Sequence, residues 1–99
     1  MNDKYTNDYR DVGEMIMDCY KDIGESVYKG HDHNCAVFVD MRGDFELLRI
    51  SSKKEKAQTM SAEEYQAAIV EAVNDAIEEI KKERINVVGN MINAENGEF

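Results

Sequence analysis

The stretch Cys35–Ile50, CAVFVDMRGDFELLRI, confines this chain to folds that contain a sheet. Cys35–Met41 is β-branched and aromatic and runs into the turn residues Arg42-Gly43-Asp44, the pattern of a strand entering a turn. Phe45–Ile50 then returns, so the two strands make a hairpin with Gly43 available for a positive φ. Leu47 and Leu48 are adjacent and fall on opposite faces of the returning strand. Both faces therefore carry apolar groups, which predicts burial on two sides, one of them against another chain.

Helical periodicity flanks the hairpin. Tyr5, Tyr9, Val12, Ile16, Cys19, Ile23 and Val27 recur at spacings of three and four, which places them on one stripe of a helix over roughly residues 6–28. Thr6, Asn7 and Asp8 are competent N-caps, whereas Gly13 and Gly24 each weaken the helix by about 1 kcal/mol relative to Ala. Gly30–Asn34, GHDHN, reads as a loop, and Ser51–Met60 as a polar crossover. Ser61 and Glu64 form a capping box before a second periodic run, Tyr65, Ile69, Ala72, Val73, Ala76, Ile77 and Ile80. That run predicts a helix over roughly 62–88, stopped by Gly89-Asn90. Glu63, Glu71, Asp75, Glu78, Glu79 and Lys82 take its opposite face, where Glu78 and Lys82 suit an i,i+4 pair and Glu71, Asp75 and Glu79 repel. The architecture expected is α+β: an N-terminal helix, an antiparallel hairpin or small sheet, and a long C-terminal helix. Residues 1–99 make one domain, with 1–5 and 93–99 expected to be frayed.

Charge narrows the partners. The net charge is −9, yet residues 35–60 hold five basic and four acidic residues, so the middle of the chain is the one place for a local positive patch. No apolar run approaches the ~20 residues of a membrane span, and the polar start MNDKYTNDYRD is unlike a secretory signal. With two cysteines and no disulfide framework, a reduced, cytoplasmic protein is expected.

Chemistry has little support. His31, His33 and Cys35 would project to one side of an extended segment and are ligand types that Zn²⁺ accepts. An exposed loop beside a buried strand accounts for them better, so no metal or other cofactor is expected. Cys19 reads as a buried, inert thiol on the helix stripe. Asp40, Asp44 and Glu46 flank a turn, where carboxylates are common and solvated, and Arg42-Gly43-Asp44 is turn chemistry. No nucleophile elbow, phosphate loop or zinc-protease helix is present, so no catalytic residue is assigned. The basic residues fall into two groups: Lys53, Lys54 and Lys56 in the crossover, and Lys81, Lys82 and Arg84 near the end of the last helix. Both are candidates for phosphate contact, although a solvated loop and a complement to the helix dipole explain them as well.

Taken together, Val37–Ile50 and Ser61–Ile80 resemble the YbaB/EbfC nucleoid-associated family. The strand–Gly–strand segment VFVDMRGDFELLRI is followed by an acidic helix start and the stretch Ala72-Val73-Asn74-Asp75-Ala76, over about half of the chain. The resemblance implies an intertwined homodimer in which two sheets join and paired helices project as arms onto double-stranded DNA. It implies weak, non-enzymatic DNA binding with little sequence preference and a place in the nucleoid. The alternative is an acidic adaptor or DNA mimic that receives a basic protein partner.

Overall fold

The computed structural model describes residues 3–96, and the side-chain surroundings of residues 14–90. In chain order the elements are α1 (Asp3–Glu25), β1 (Val27–His31), β2 (Val37–Arg42), β3 (Leu47–Ser52), the single-turn α2 (Lys54–Ala57) and α3 (Ala62–Asn96). The strands form one antiparallel sheet in the order β1-β2-β3. The expected helix–hairpin–helix order holds, with one strand more than the sequence reading contained.

That extra strand corrects the reading of residues 26–31. Val27 continues the apolar spacing of the first helix, but α1 ends at Glu25 and the chain turns at Ser26, whose N–H donates to the carbonyls of Asp22 and Ile23. Val27 then faces outward, 54% exposed, and Tyr28 and Gly30 face the core side. Tertiary contact made this segment a strand: a Cβ at Gly30 would stand 2.2 Å from the Ala72 carbonyl oxygen and 2.5 Å from the Ala76 nitrogen. Only glycine lets β1 lie this close to the helix backbone. The small residues Ala72 and Ala76 are the other half of the same seam.

Residues of the predicted C-terminal stripe build the core. Ala72, Ala76 and Ile80, joined by Ala68, form a buried spine on α3 that packs on Val37, Val39 and Met41 of β2, with Ile23 of α1 closing one end. The capping box forms as expected, the Ser61 N–H donating to Glu64 Oε1 at 2.9 Å and the Glu64 N–H to Ser61 Oγ at 3.0 Å. Gly89-Asn90 does not stop the helix, which continues to Asn96. A single interior glycine costs about 1 kcal/mol, which a helix this long absorbs. Of the segments expected to be frayed, residues 3–5 and 93–96 belong to α1 and α3, and residues 1–2 and 97–99 lie outside the described residues. Glu78 and Glu79 pair at i,i+3 with Lys81 and Lys82, in place of the expected Glu78–Lys82 pair.

The hairpin turn departs from expectation in a similar way. Positive φ falls on Phe45, at 71°, and not on Gly43. Gly43 is required for proximity: a Cβ there would stand 1.7 Å from the Ile23 carbonyl oxygen, and its N–H donates to the Ser26 carbonyl at 2.9 Å. The turn is thus pressed into the end of α1.

Candidate nucleic-acid interface

Six basic residues were expected to meet phosphate, and the structure gives them different positions. Lys53 follows β3, its ammonium 5.9 Å from the centre of the Phe38 ring. Lys56 Nζ donates to the Asn34 carbonyl at 2.6 Å and so ties α2 to the β1–β2 loop. Lys54 lies exposed between them and has no ion-pair partner among the described residues. Lys81 and Lys82 sit on the solvent side of α3 at 3.7 and 3.4 Å from Glu78 and Glu79, pairs that exposure makes worth little. At 1.5 Å per residue, Lys81 is about 29 Å along α3 from its start. The fold therefore does not bring the two groups together.

Arg84 is occupied by the fold. Its guanidinium donates to the Gly43 carbonyl at 2.9 Å and lies 5.3 Å from the Tyr20 ring centre and 5.1 Å from that of Phe45. It thereby clamps the hairpin turn between α1 and α3, and the phenyl ring it stacks on belongs to the turn residue with positive φ.

Other cations, not singled out from the sequence, share the outer face of the sheet. Strand alternation and register put Lys29, Asp40 and Arg49 side by side there, across three strands. Lys29 Nζ is 3.2 Å and Arg49 2.9 Å from Asp40. First the Lys29 ammonium and then, against some desolvation, the Arg49 guanidinium hold the Asp40 carboxyl below its ordinary range. Both cations are themselves largely exposed, so their charge remains accessible to an anion. Arg42 lies on the same face, paired with Asp44 and Glu46. Lys29 was hidden from sequence reasoning because β1 was, and its relation to Arg49 exists only through the strand register.

The His-rich loop is pinned to α3. The His31 N–H donates to Asp75 Oδ2 at 3.0 Å and the His33 N–H to Glu71 Oε1 at 2.8 Å, while the His33 ring meets the same Glu71 oxygen at 2.7 Å. Glu71 and Asp75, expected to repel on a solvated face, are thus satisfied as loop anchors. Hydrogen bonding to His33 holds the Glu71 carboxyl below its ordinary range and, reciprocally, raises the His33 ring. Cys35 and His31 lie together, Sγ to Nδ1 3.6 Å, and His33 turns the other way, so His31, His33 and Cys35 do not converge on one point. Cys19 is half-buried, as is Cys35.

One edge of the sheet is apolar. β3 is paired only with β2, and Phe45, Leu47, Leu48 and Ile50 are each between 42 and 46% exposed. Ile50 lies opposite the buried Val39, on the helix side of the sheet, but beyond the cover of α3. An irregularity between Asp40 and Met41 leaves Leu48 out of the pairing.

Helix, three-stranded sheet and long helix in this order, with cations and apolar side chains turned outward, define a small α+β domain built for surface contact. The profile of the YbaB/EbfC DNA-binding family matches residues 2–95, and the chain belongs to that family, a nucleoid-associated, DNA-binding one of a non-enzymatic kind. Among solved structures, the uncharacterized protein HP0035 from Helicobacter pylori is similar in fold, with a TM-score of 0.70 at 17% identity over 93% of this chain and 98% of that one. No curated protein matches. The Ala72–Ala76 stretch that carried the resemblance is the seam against Gly30 together with the Asp75 anchor for His31.

Proposed function

We propose that the protein is a homodimeric, non-enzymatic nucleoid-associated protein of the cytoplasm that binds double-stranded DNA weakly and with little sequence preference. Membership of the family over residues 2–95 carries this reading. Dimerisation is supported by the uncovered apolar row on β3, since an edge strand bearing Leu47, Leu48 and Ile50 is a template for a second chain. No helix among the described residues is long and apolar enough to cross a membrane.

Weak binding follows from charge. Each chain carries −9, so contact rests on local cations acting within a screening length of ~8 Å. Lys54, flanked by Lys53 and Lys56, is the principal contact, with Lys81 and Lys82 farther along α3; Arg84 adds field but holds the fold.

A salt-titrated duplex-binding assay on protein of measured solution mass tests the reading. Expected are a two-chain mass and a complex at low salt that is lost as salt rises, log K falling by about 0.9 per phosphate neutralised for each tenfold rise in salt. Lys53→Glu, Lys54→Glu and Lys56→Glu together should weaken the complex, and an unaffected complex would remove the proposed contact site. Absence of binding at low salt, with a basic protein co-purifying, would establish the adaptor or DNA-mimic alternative.

A further inference from the structure

We infer that Asp32, His33 and Glu71 form a binding site for a divalent transition-metal ion of the Zn²⁺ class, stapling the β1–β2 loop to α3. One carboxylate oxygen of Asp32, a ring nitrogen of His33 and a carboxylate oxygen of Glu71 lie within 4.8 Å of one another. Ligands around a tetrahedral Zn²⁺ at ~2.1 Å stand about 3.4 Å apart, so sub-ångström adjustments bring the three into coordination. They line an open cleft of about 370 Å³ shared with Asn34, Met60 and Glu64.

Asp32 gives the site its direction. Its side chain is the one buried acidic group among the described residues, 1% exposed, and its two oxygens differ. Oδ1 accepts the N–H groups of Ala36 at 2.7 Å and Val37 at 2.8 Å. Oδ2 is shut off from solvent and accepts nothing, a costly state for a carboxylate. Turning the loop needs only Oδ1. A second carboxylate and an imidazole, already bonded to each other, stand beside the Asp32 carboxylate, and a cation among them would offset the repulsion between the two acids and give the orphaned oxygen a partner. Two carboxylates and one imidazole are a borderline donor set, suited to Zn²⁺ or Mn²⁺ more than to Mg²⁺ or Ca²⁺. Glu64, across the cleft, is committed to the Ser61 N–H, which leaves a coordination position open toward solvent. The site uses one histidine of the HDH loop and neither His31 nor Cys35, which meet each other on the far side.

The test is calorimetric titration of ZnCl₂ into the full chain, stripped with EDTA and returned to a non-chelating buffer at pH 7.5, with thermal melts in parallel. One saturable site per chain and a raised Tm are expected. His33→Ala and Glu71→Gln should each weaken binding tenfold or more, while His31→Ala and Cys35→Ser leave it unchanged. His33 and Glu71 are exposed enough for these variants to fold, which circular dichroism checks. As an independent reading on the unaltered chain, the His33 ring resonances should shift on saturation with Zn²⁺. No saturable heat below millimolar Zn²⁺, binding indifferent to His33→Ala and Glu71→Gln, or unmoved His33 resonances overturn the proposal.

Discussion

Three glycines do different work, and substitution separates them. A Cβ at Gly43 collides with the Ile23 carbonyl, and one at Gly30 with the backbone of Ala72 and Ala76. Neither obstacle is the movable end of a side chain, so Gly43→Ala and Gly30→Ala should each destabilise by about 3 kcal/mol, at the upper end of overpacking costs. Gly89 lies inside α3 with nothing within 4 Å of its would-be Cβ. Gly89→Ala should therefore stabilise by about 1 kcal/mol. Urea denaturation of the three variants checks both signs. Arg84 is separated from the lysines by the same logic. Arg84→Gln loses the Gly43 carbonyl contact and the stacking on Tyr20 and Phe45, so it should lower the urea midpoint. Lys54→Glu should weaken DNA binding and leave the midpoint in place.

At the scale of elements, the start of α3 depends on one reciprocal cap. Ser61→Ala should cost about 1 kcal/mol. The Glu64 carboxyl is held below its ordinary 4.5, chiefly by the Ser61 N–H and then by the Ser61 hydroxyl. A depressed carboxyl contributes stability that is complete above 4.5 and lost as the pH falls through the lower, folded value. Melts from pH 7 to pH 3 should thus show a smaller loss for Glu64→Gln than for the unaltered chain, the two curves converging at the acid end. This cap was legible in four residues because every atom of it is local. So were both helices and the hairpin, whose periodicities are properties of short windows. Strand β1 was not legible: Val27 continues the helix stripe, and what makes the segment a strand is Gly30 against a helix more than forty residues downstream. The site was legible to a similar depth. A lysine cluster is visible in a sequence, but that Arg84 is consumed by a turn, or that Glu71 faces His33 from 38 residues away, is decided only by packing.

For the whole molecule, the decisive surface is the β3 edge. Replacing Leu48 or Ile50 by Lys puts a charge where a second chain is proposed to seat, and sedimentation at micromolar concentration should shift from the two-chain to the single-chain mass. These side chains are already 42 to 46% exposed, so the isolated fold should tolerate the change, with a far-ultraviolet spectrum close to that of the unaltered chain. A single-chain mass for the unaltered protein would remove the dimer and leave the fold standing.

Tyr20 shares a cleft with Arg84, Ile85, Val88 and Gly89, while Ile23, one turn later, meets Gly43 and the core that ends at Ile80, so α1 runs back along the outer half of α3. The start of α1 and the end of α3 therefore stand toward one pole of a body 69 Å long, with the sheet toward the other. Grasped by its two ends in an optical trap, it is loaded in the unzipping direction, each helical turn parting before the next bears any tension. The helices should peel at low force in small steps, and a single larger rip should follow only when the pull reaches Ile23 and the strands behind it.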